Sequence, residues 1–331
     1  MPSRNLASSS PRPVTRRGRP TALLRDPAPR TIRVVALALL DVAYDAARRL
    51  REGSAVDADQ LHQFRVALRR LRSWFQLWRG PLEDSLSRRD ARRVRAVARA
   101  TSEARDLDVH HAWLSDEYCA ATSGRRAAIA ELMARLEARR GAATATALDA
   151  ANELEARYAR LHRRLETYRV HVQAETEEPF GVALAAIVRA ASESLRGHLA
   201  AVRSADDQDE AHRARIAAKR LRYLLEPVAD VVRGVPTLID DLRSLQDTVG
   251  DLRDAHVFST ELALDVGHLA RPRPRLVERH LAARGARAYA RFERDWLGDA
   301  SVPFFARVAR AANLLARSAR VPTKRAGRRH T

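Results

Sequence analysis

An all-α fold is what the sequence predicts: two helical bundles, related by an internal pseudo-two-fold repeat, around a basic cavity. Three observations predict it. Glycine and proline are scarce, 13 and 14 in 331 residues, while Ala, Leu, Arg and Glu dominate, which is the composition of long helices. No stretch of useful length alternates apolar and polar residues as a strand would. A basic helical segment occurs twice, at Leu61–Arg72 and Ala211–Arg222, with an offset of 150 residues.

Residues 1–30 read as a disordered basic tail, rich in Pro, Ser and Arg. Thr31–Arg51 has apolar residues at helical spacing (Ile32, Val35, Leu39, Val42, Ala46). Asp57 is an N-cap for the first motif helix, which runs to about Arg79 and is stopped by Gly80-Pro81. A third helix is expected over Leu82–Thr101. Helical patterns fill residues 125–174, with Gly141 a candidate break. The acidic stretch around Glu175–Gly181 marks the junction between a first half, 31–177, and a second, 178–320. Phe180–Arg203 is the next helix, and the polar link Ser204–Asp207 caps the second motif helix, which Pro227 ends. Two helices are expected to flank Gly250, and two more to cover Pro274–Leu297 and Val302–Arg320. Residues 321–331 form a second basic tail.

The repeated segment has a two-faced geometry. At 100° per residue His62, Arg65, Arg69 and Arg72 fall within an arc of about 80°. Phe64, Leu68, Leu71, Trp74, Phe75 and Trp78 lie opposite. In the second copy His212, Arg215, Lys219 and Arg222 share one face, and Ala214, Ala218, Leu221, Leu224 and Leu225 the other. Arg70 and Arg220 lie off both stripes. A solvated helix face mixes signs because like charges at i,i+4 repel, and neither basic stripe contains an acid. Further on, Arg95 and Arg105-Asp106 recur as Arg243 and Arg253-Asp254, both at an offset of 148. Arg88, Arg92, Arg95 and Arg99 share one helix face within about 60°.

The chain carries 60 Lys and Arg against 41 Asp and Glu, a net charge of +19. Only Lys219 and Lys324 are lysines. A GC-rich genome explains the preference for Arg but not its placement in rows. Residues 1–30 contribute +6 and residues 321–331 contribute +4, so the body keeps 19 − 6 − 4 = +9. That balance attracts polyanions. The single cysteine, Cys119, excludes a disulfide within one chain and suits a reducing cytoplasm. The longest apolar run, Val34–Leu40, is too short to span a bilayer, and no secretory signal pattern is present, so no membrane partner is expected.

The doubled pattern His-x-x-Arg-[Val/Ile]-x-x-[Arg/Lys]-Arg-Leu-Arg, each copy followed by a downstream Arg-Asp, resembles the CHAD family (conserved histidine α-helical domain). The resemblance covers most of residues 31–320. It implies two helical bundles around a basic surface or cavity and binding of inorganic polyphosphate, often at polyphosphate granules, without catalysis. Carried over, it assigns His62, Arg65, Arg69, Arg70 and Arg72 to one half-site and His212, Arg215, Lys219, Arg220 and Arg222 to the other. Arg95, Arg99 and Arg243 extend the expected set. The Glu-x-Glu-x-Lys signature of the triphosphatase domain fused to some relatives is absent, since Pro179 stands where Lys is required.

Phosphate chemistry agrees with that expectation. Arginine's planar fork donates two parallel hydrogen bonds to phosphate and stays charged. His62 and His212, near their helix N-termini, can donate as neutral rings and more strongly once a nearby phosphate raises their pKa, so binding is expected to tighten below about pH 6.5. Non-specific nucleic-acid binding, including weak contact through the basic tails, is the first alternative. Aromatics are only 5%, however, and the motif aromatics lie on the apolar stripe rather than among the cations. A phosphoanhydride-processing enzyme accessory is the second alternative. Its metal would need carboxylates, and Asp106, Asp108 and Asp254 each adjoin an Arg, which points to ion pairing. No cofactor, resident metal or catalytic residue is expected.

Overall fold

The computed structural model describes residues 22–53, 57–120, 123–167, 178–265 and 275–320. Among them every regular element is helical, as expected: α1 Ala22–Arg25, α2 Ala28–Glu52, α3 Ala58–Leu77, α4 Arg88–Ala100, α5 Ser102–Ala120, α6 Ser123–Glu166, α7 Phe180–Ala201, α8 Gln208–Leu225, α9 Val235–Asp265, α10 Arg275–Trp296 and α11 Val302–Ala319. Short 3-10 turns follow α8 and precede α11. In the first half α2 packs on α3 and α6, and α5 and α4 pack on α6; in the second, α7 packs on α8 and α11, and α9 on α8 and α10. Contacts of α2 with α7 and of α3 with α8 join the halves, and α1 packs on α7 and α11.

The motif helices form where the sequence places them. The Asp57 side chain accepts from the Asp59 N–H at 3.2 Å, capping α3. Phe64, Leu68, Leu71, Trp74, Phe75 and Trp78 are buried, as are Ala214, Ala218, Leu221, Leu224 and Leu225 in α8. Trp74 Nε1 donates to the Ile32 carbonyl at 2.9 Å, satisfying the one polar atom that its burial would otherwise orphan. The Trp74, Trp78 and Phe180 rings pack together with centroids 5.6 to 6.4 Å apart, tying α3 to α7.

Five expectations need correction. Residues 22–30 leave the N-terminal tail: Leu24 is fully buried, the Ala28 N–H donates to Glu178 O at 3.0 Å, and the Phe180 N–H donates to Asp26 O at 2.9 Å. That stitch pulls the starts of α2 and α7 together. The remainder of both tails, residues 1–21 and 321–331, lies outside the described residues, as do residues 168–174 of the expected helical stretch and 175–177 of the expected junction.

The third helix starts at Arg88, not Leu82, because Ser87 Oγ accepts from the Asp90 N–H at 3.1 Å; Leu82 and Leu86 are buried anchors of the preceding turns. Gly141 does not break α6, which runs 44 residues. Its position is solvent-facing, with no atom near an added Cβ, so the helix bears only the entropic cost of glycine. Asp207 caps no N–H of α8; its carboxylate accepts from the Arg203 and Ser204 N–H groups at 2.8 and 2.9 Å, closing the link itself. Gly250 lies inside one continuous α9 rather than between two helices.

Candidate functional site

The α3–α8 contact brings the two basic stripes into one electrostatic neighbourhood. His62, Arg65, Arg69 and Arg72 on α3, and His212, Arg215, Lys219 and Arg220 on α8, are all half-buried. Arg65 and Arg215 are held at their guanidinium ends. Arg65 Nη1 donates to Thr101 Oγ1 at 3.1 Å, and Arg215 Nε donates to the Gln246 carbonyl at 3.0 Å. Thr101 stands at the α4–α5 break, fully buried. On α9 an added Cβ at Gly250 would stand 3.0 Å from Arg215 Nη2, so the glycine leaves room for that guanidinium.

Burial and mutual repulsion set the protonation of the cluster. Burial, then Arg105, Arg69 and Arg65, push the His62 imidazole down to about 4. Burial, then Arg253, Arg215 and Lys219, also lower His212. The Lys219 ammonium falls furthest, to about 5, through burial and then Arg69, Arg215, Arg222 and Arg65. Two of those four arginines belong to the first half. Arg65 is pushed to about 10 by burial and Arg69, with Asp106 opposing. Arg215 is lowered by burial and Arg69, with Asp254 and Asp247 opposing. Arg72 is lowered by burial, Arg69, Arg95 and Arg220. Cations from both halves therefore press on one another without enough carboxylate to neutralise them.

Sequence reasoning missed Arg105 and Arg253, which face His62 and His212 respectively, and the counter-charges Asp106 and Asp254 beside Arg65 and Arg215. The signal was present: Arg-Asp recurs at an offset of 148. Buried polar atoms gather here without a hydrogen-bond partner among the described residues, including Arg65 Nε, His212 Nδ1 and Tyr223 Oη. Such atoms are costly unless a ligand or solvent satisfies them. Asp108, a candidate metal ligand in the sequence, instead accepts from Arg140 Nη2 at 3.2 Å.

Three expected phosphate donors are engaged elsewhere. Arg70 and Arg222 converge on the Glu226 carboxylate: Arg70 Nε stands 2.8 Å from Oε2, and Arg222 Nη1 donates to Oε1 at 2.7 Å. Their side chains are only 6% and 10% exposed, so both are structural cations rather than open donors. Arg222 also lies over the buried Tyr223 ring at 4.7 Å, which removes Tyr223 as a stacking surface for a base. Arg243 bonds Asp240 Oδ1 at 2.7 Å. Arg95 and Arg99 project from the exposed face of α4. With its imidazole pushed down to about 4, His62 is neutral in the free protein at pH 6.5.

Comparison with known proteins agrees with the all-helical fold. The CHAD domain crystal structure from the plant Ricinus communis superposes with a TM-score of 0.59 at 20% identity, covering 86% of this chain and 92% of that one. PptA from Streptomyces chartreusis gives a TM-score of 0.60 at 18% identity, covering 89% and 99% respectively. At such identity these likenesses establish the fold. No curated protein matches the sequence. The family model for the CHAD domain matches residues 35–263, a span that includes both motif helices and both Arg-Asp segments, and the chain belongs to the CHAD domain family.

Proposed function

We propose that this chain binds inorganic polyphosphate between α3 and α8 and does not process it. The family is associated with polyphosphate binding. The observation that carries the reading for this chain is the meeting of the two basic stripes, with Lys219 half-buried among Arg65 and Arg69 of one half and Arg215 and Arg222 of the other. A cationic cluster this poorly neutralised is unfavourable when empty and favours a ligand bringing many negative charges at short spacing. Polyphosphate does so and carries no base that would need a stacking surface. His62, Arg65, Arg69 and Arg72 act with His212, Arg215, Lys219 and Arg220 as donors; Arg105 and Arg253 add to the field. The reading includes a cytoplasmic, granule-associated protein. Among the described residues no helix is long and apolar enough to cross a membrane.

Calorimetric titration with phosphate, tripolyphosphate and long-chain polyphosphate tests it. Affinity is expected to rise with chain length, excess duplex DNA at moderate salt is expected to leave bound polyphosphate in place, and Mg²⁺ is expected to release no phosphate. Displacement by DNA would assign the cations to nucleic acid. Phosphate release would make the protein an enzyme.

A further inference from the structure

The duplicated cations are not equally free at the two ends of the cluster. In the second half Glu226 clasps Arg70 and Arg222, Asp240 holds Arg243, and Asp247 lies close enough to Arg215, Arg222 and Arg243 to feel all three. The same registers in the first half carry no acid: Gln76 stands 150 residues before Glu226, and Arg92 and Arg99 stand 148 residues before Asp240 and Asp247. Arg72 and Arg220, the duplicates of Arg222 and Arg70, have no hydrogen-bond or ion-pair partner among the described residues. Arg95 and Arg220 both lie close enough to Arg72 to add to the repulsion on it. From Arg95 the exposed face of α4 continues through Arg92 to Arg88. The nearby acid Asp90 points away, buried and bonded to Arg160 and Arg164 at 3.1 and 3.0 Å. On the other side, α9 and α10 offer a groove of about 450 Å³ lined by Asp240, Asp247 and Asp251 with Arg243 and Arg291.

We infer that a long polyphosphate leaves the central cluster on one side only, past Arg72 and Arg220 and along the Arg95–Arg92–Arg88 face of α4, while the resident carboxylates of the second half close the other exit. This rests on the polyphosphate reading and adds two length-sensing residues to it, Arg88 and Arg92. A linear polyanion extends where cations are unpaired and is turned back where fixed carboxylates already occupy the guanidinium groups. Tripolyphosphate fits within the central cluster, whereas a longer chain must continue along one path.

The test compares tripolyphosphate and long-chain polyphosphate on the full chain, on Arg88→Ala/Arg92→Ala and on the charge-matched Arg310→Ala/Arg317→Ala. Arg310 and Arg317 are exposed residues of α11, the helix packed on α7. Arg88 and Arg92 are exposed and alanine favours helix, so the first variant folds. The α4 variant is expected to lose about tenfold in long-chain affinity, the sum of two exposed charge contacts, with a shallower salt dependence. The α11 variant is expected to match wild type. Equal losses in both variants, or none in the α4 variant, would overturn the one-sided path. Failure of wild type to bind tripolyphosphate would instead overturn the polyphosphate reading on which it rests.

Discussion

Replacing Lys219 by methionine tests the electrostatics of the cluster from its centre. In the unfolded chain the ammonium holds its proton up to about pH 10.5, whereas in the fold it releases it above about 5. Between these values the unfolded state binds more protons, so Lys219 destabilises the fold. The penalty is absent above about pH 10.5, grows by about 1.4 kcal/mol per unit as pH falls, and levels off below about 5. At pH 7 the depression corresponds to a penalty on the order of 3 kcal/mol once the partial exposure of the side chain is discounted. Methionine keeps the unbranched stem and removes the charge. Lys219→Met is therefore expected to be more stable than wild type in urea, by a margin that widens from pH 9 to pH 6, and to bind polyphosphate more weakly. In wild type, phosphate oxygens beside Lys219 restore its proton, so binding at pH 7 takes up nearly one proton from the buffer. Calorimetry in two buffers of different ionisation enthalpy reads that uptake, and the variant is expected to lose most of it. Lower stability in Lys219→Met, or no proton uptake by wild type, would refute the reasoning.

Three other substitutions separate architecture from recognition. Glu226→Gln leaves Arg70 and Arg222 buried without their counter-charge and is expected to destabilise the fold by about 3–5 kcal/mol in denaturant titration. Trp74→Ala removes a fully buried ring and its bond to Ile32 and is expected to cost about 3–5 kcal/mol, with tripolyphosphate affinity retained under native conditions. Gly250→Ala places a Cβ against the Arg215 guanidinium and is expected to lower tripolyphosphate affinity by about tenfold, a displaced charged hydrogen bond, without loss of thermal stability.

The helices were legible in the sequence because each apolar stripe had a single compatible period, and the α3 and α8 stripes are buried residue for residue. Helix ends and breaks were less legible, since they depend on neighbours. Gly250 reads as a breaker until Arg215 is seen against it, and Pro27 reads as tail until its backbone stitch to residue 179 is seen. In the site, direction along a helix was readable but pairing was not. Arg70 and Arg222 repeat the motif faithfully, yet a glutamate just beyond α8, outside the repeated motif, takes both. Arg105 and Arg253 repeat just as faithfully, and only tertiary packing turns them towards the motif histidines. The depression of Lys219 was legible only in part: Arg215 and Arg222 stand beside it on its own helix, but the burial that dominates it and the pressure of Arg69 and Arg65 come from tertiary packing.

The central claim is that the two halves make one site together. The stoichiometry of tripolyphosphate binding, measured by calorimetry on wild type, Arg65→Ala/Arg69→Ala and Arg215→Ala/Lys219→Met, tests it most directly. One equivalent per chain, weakened by substitutions in either half, is the predicted result. Two equivalents, each lost only with its own half, would contradict it.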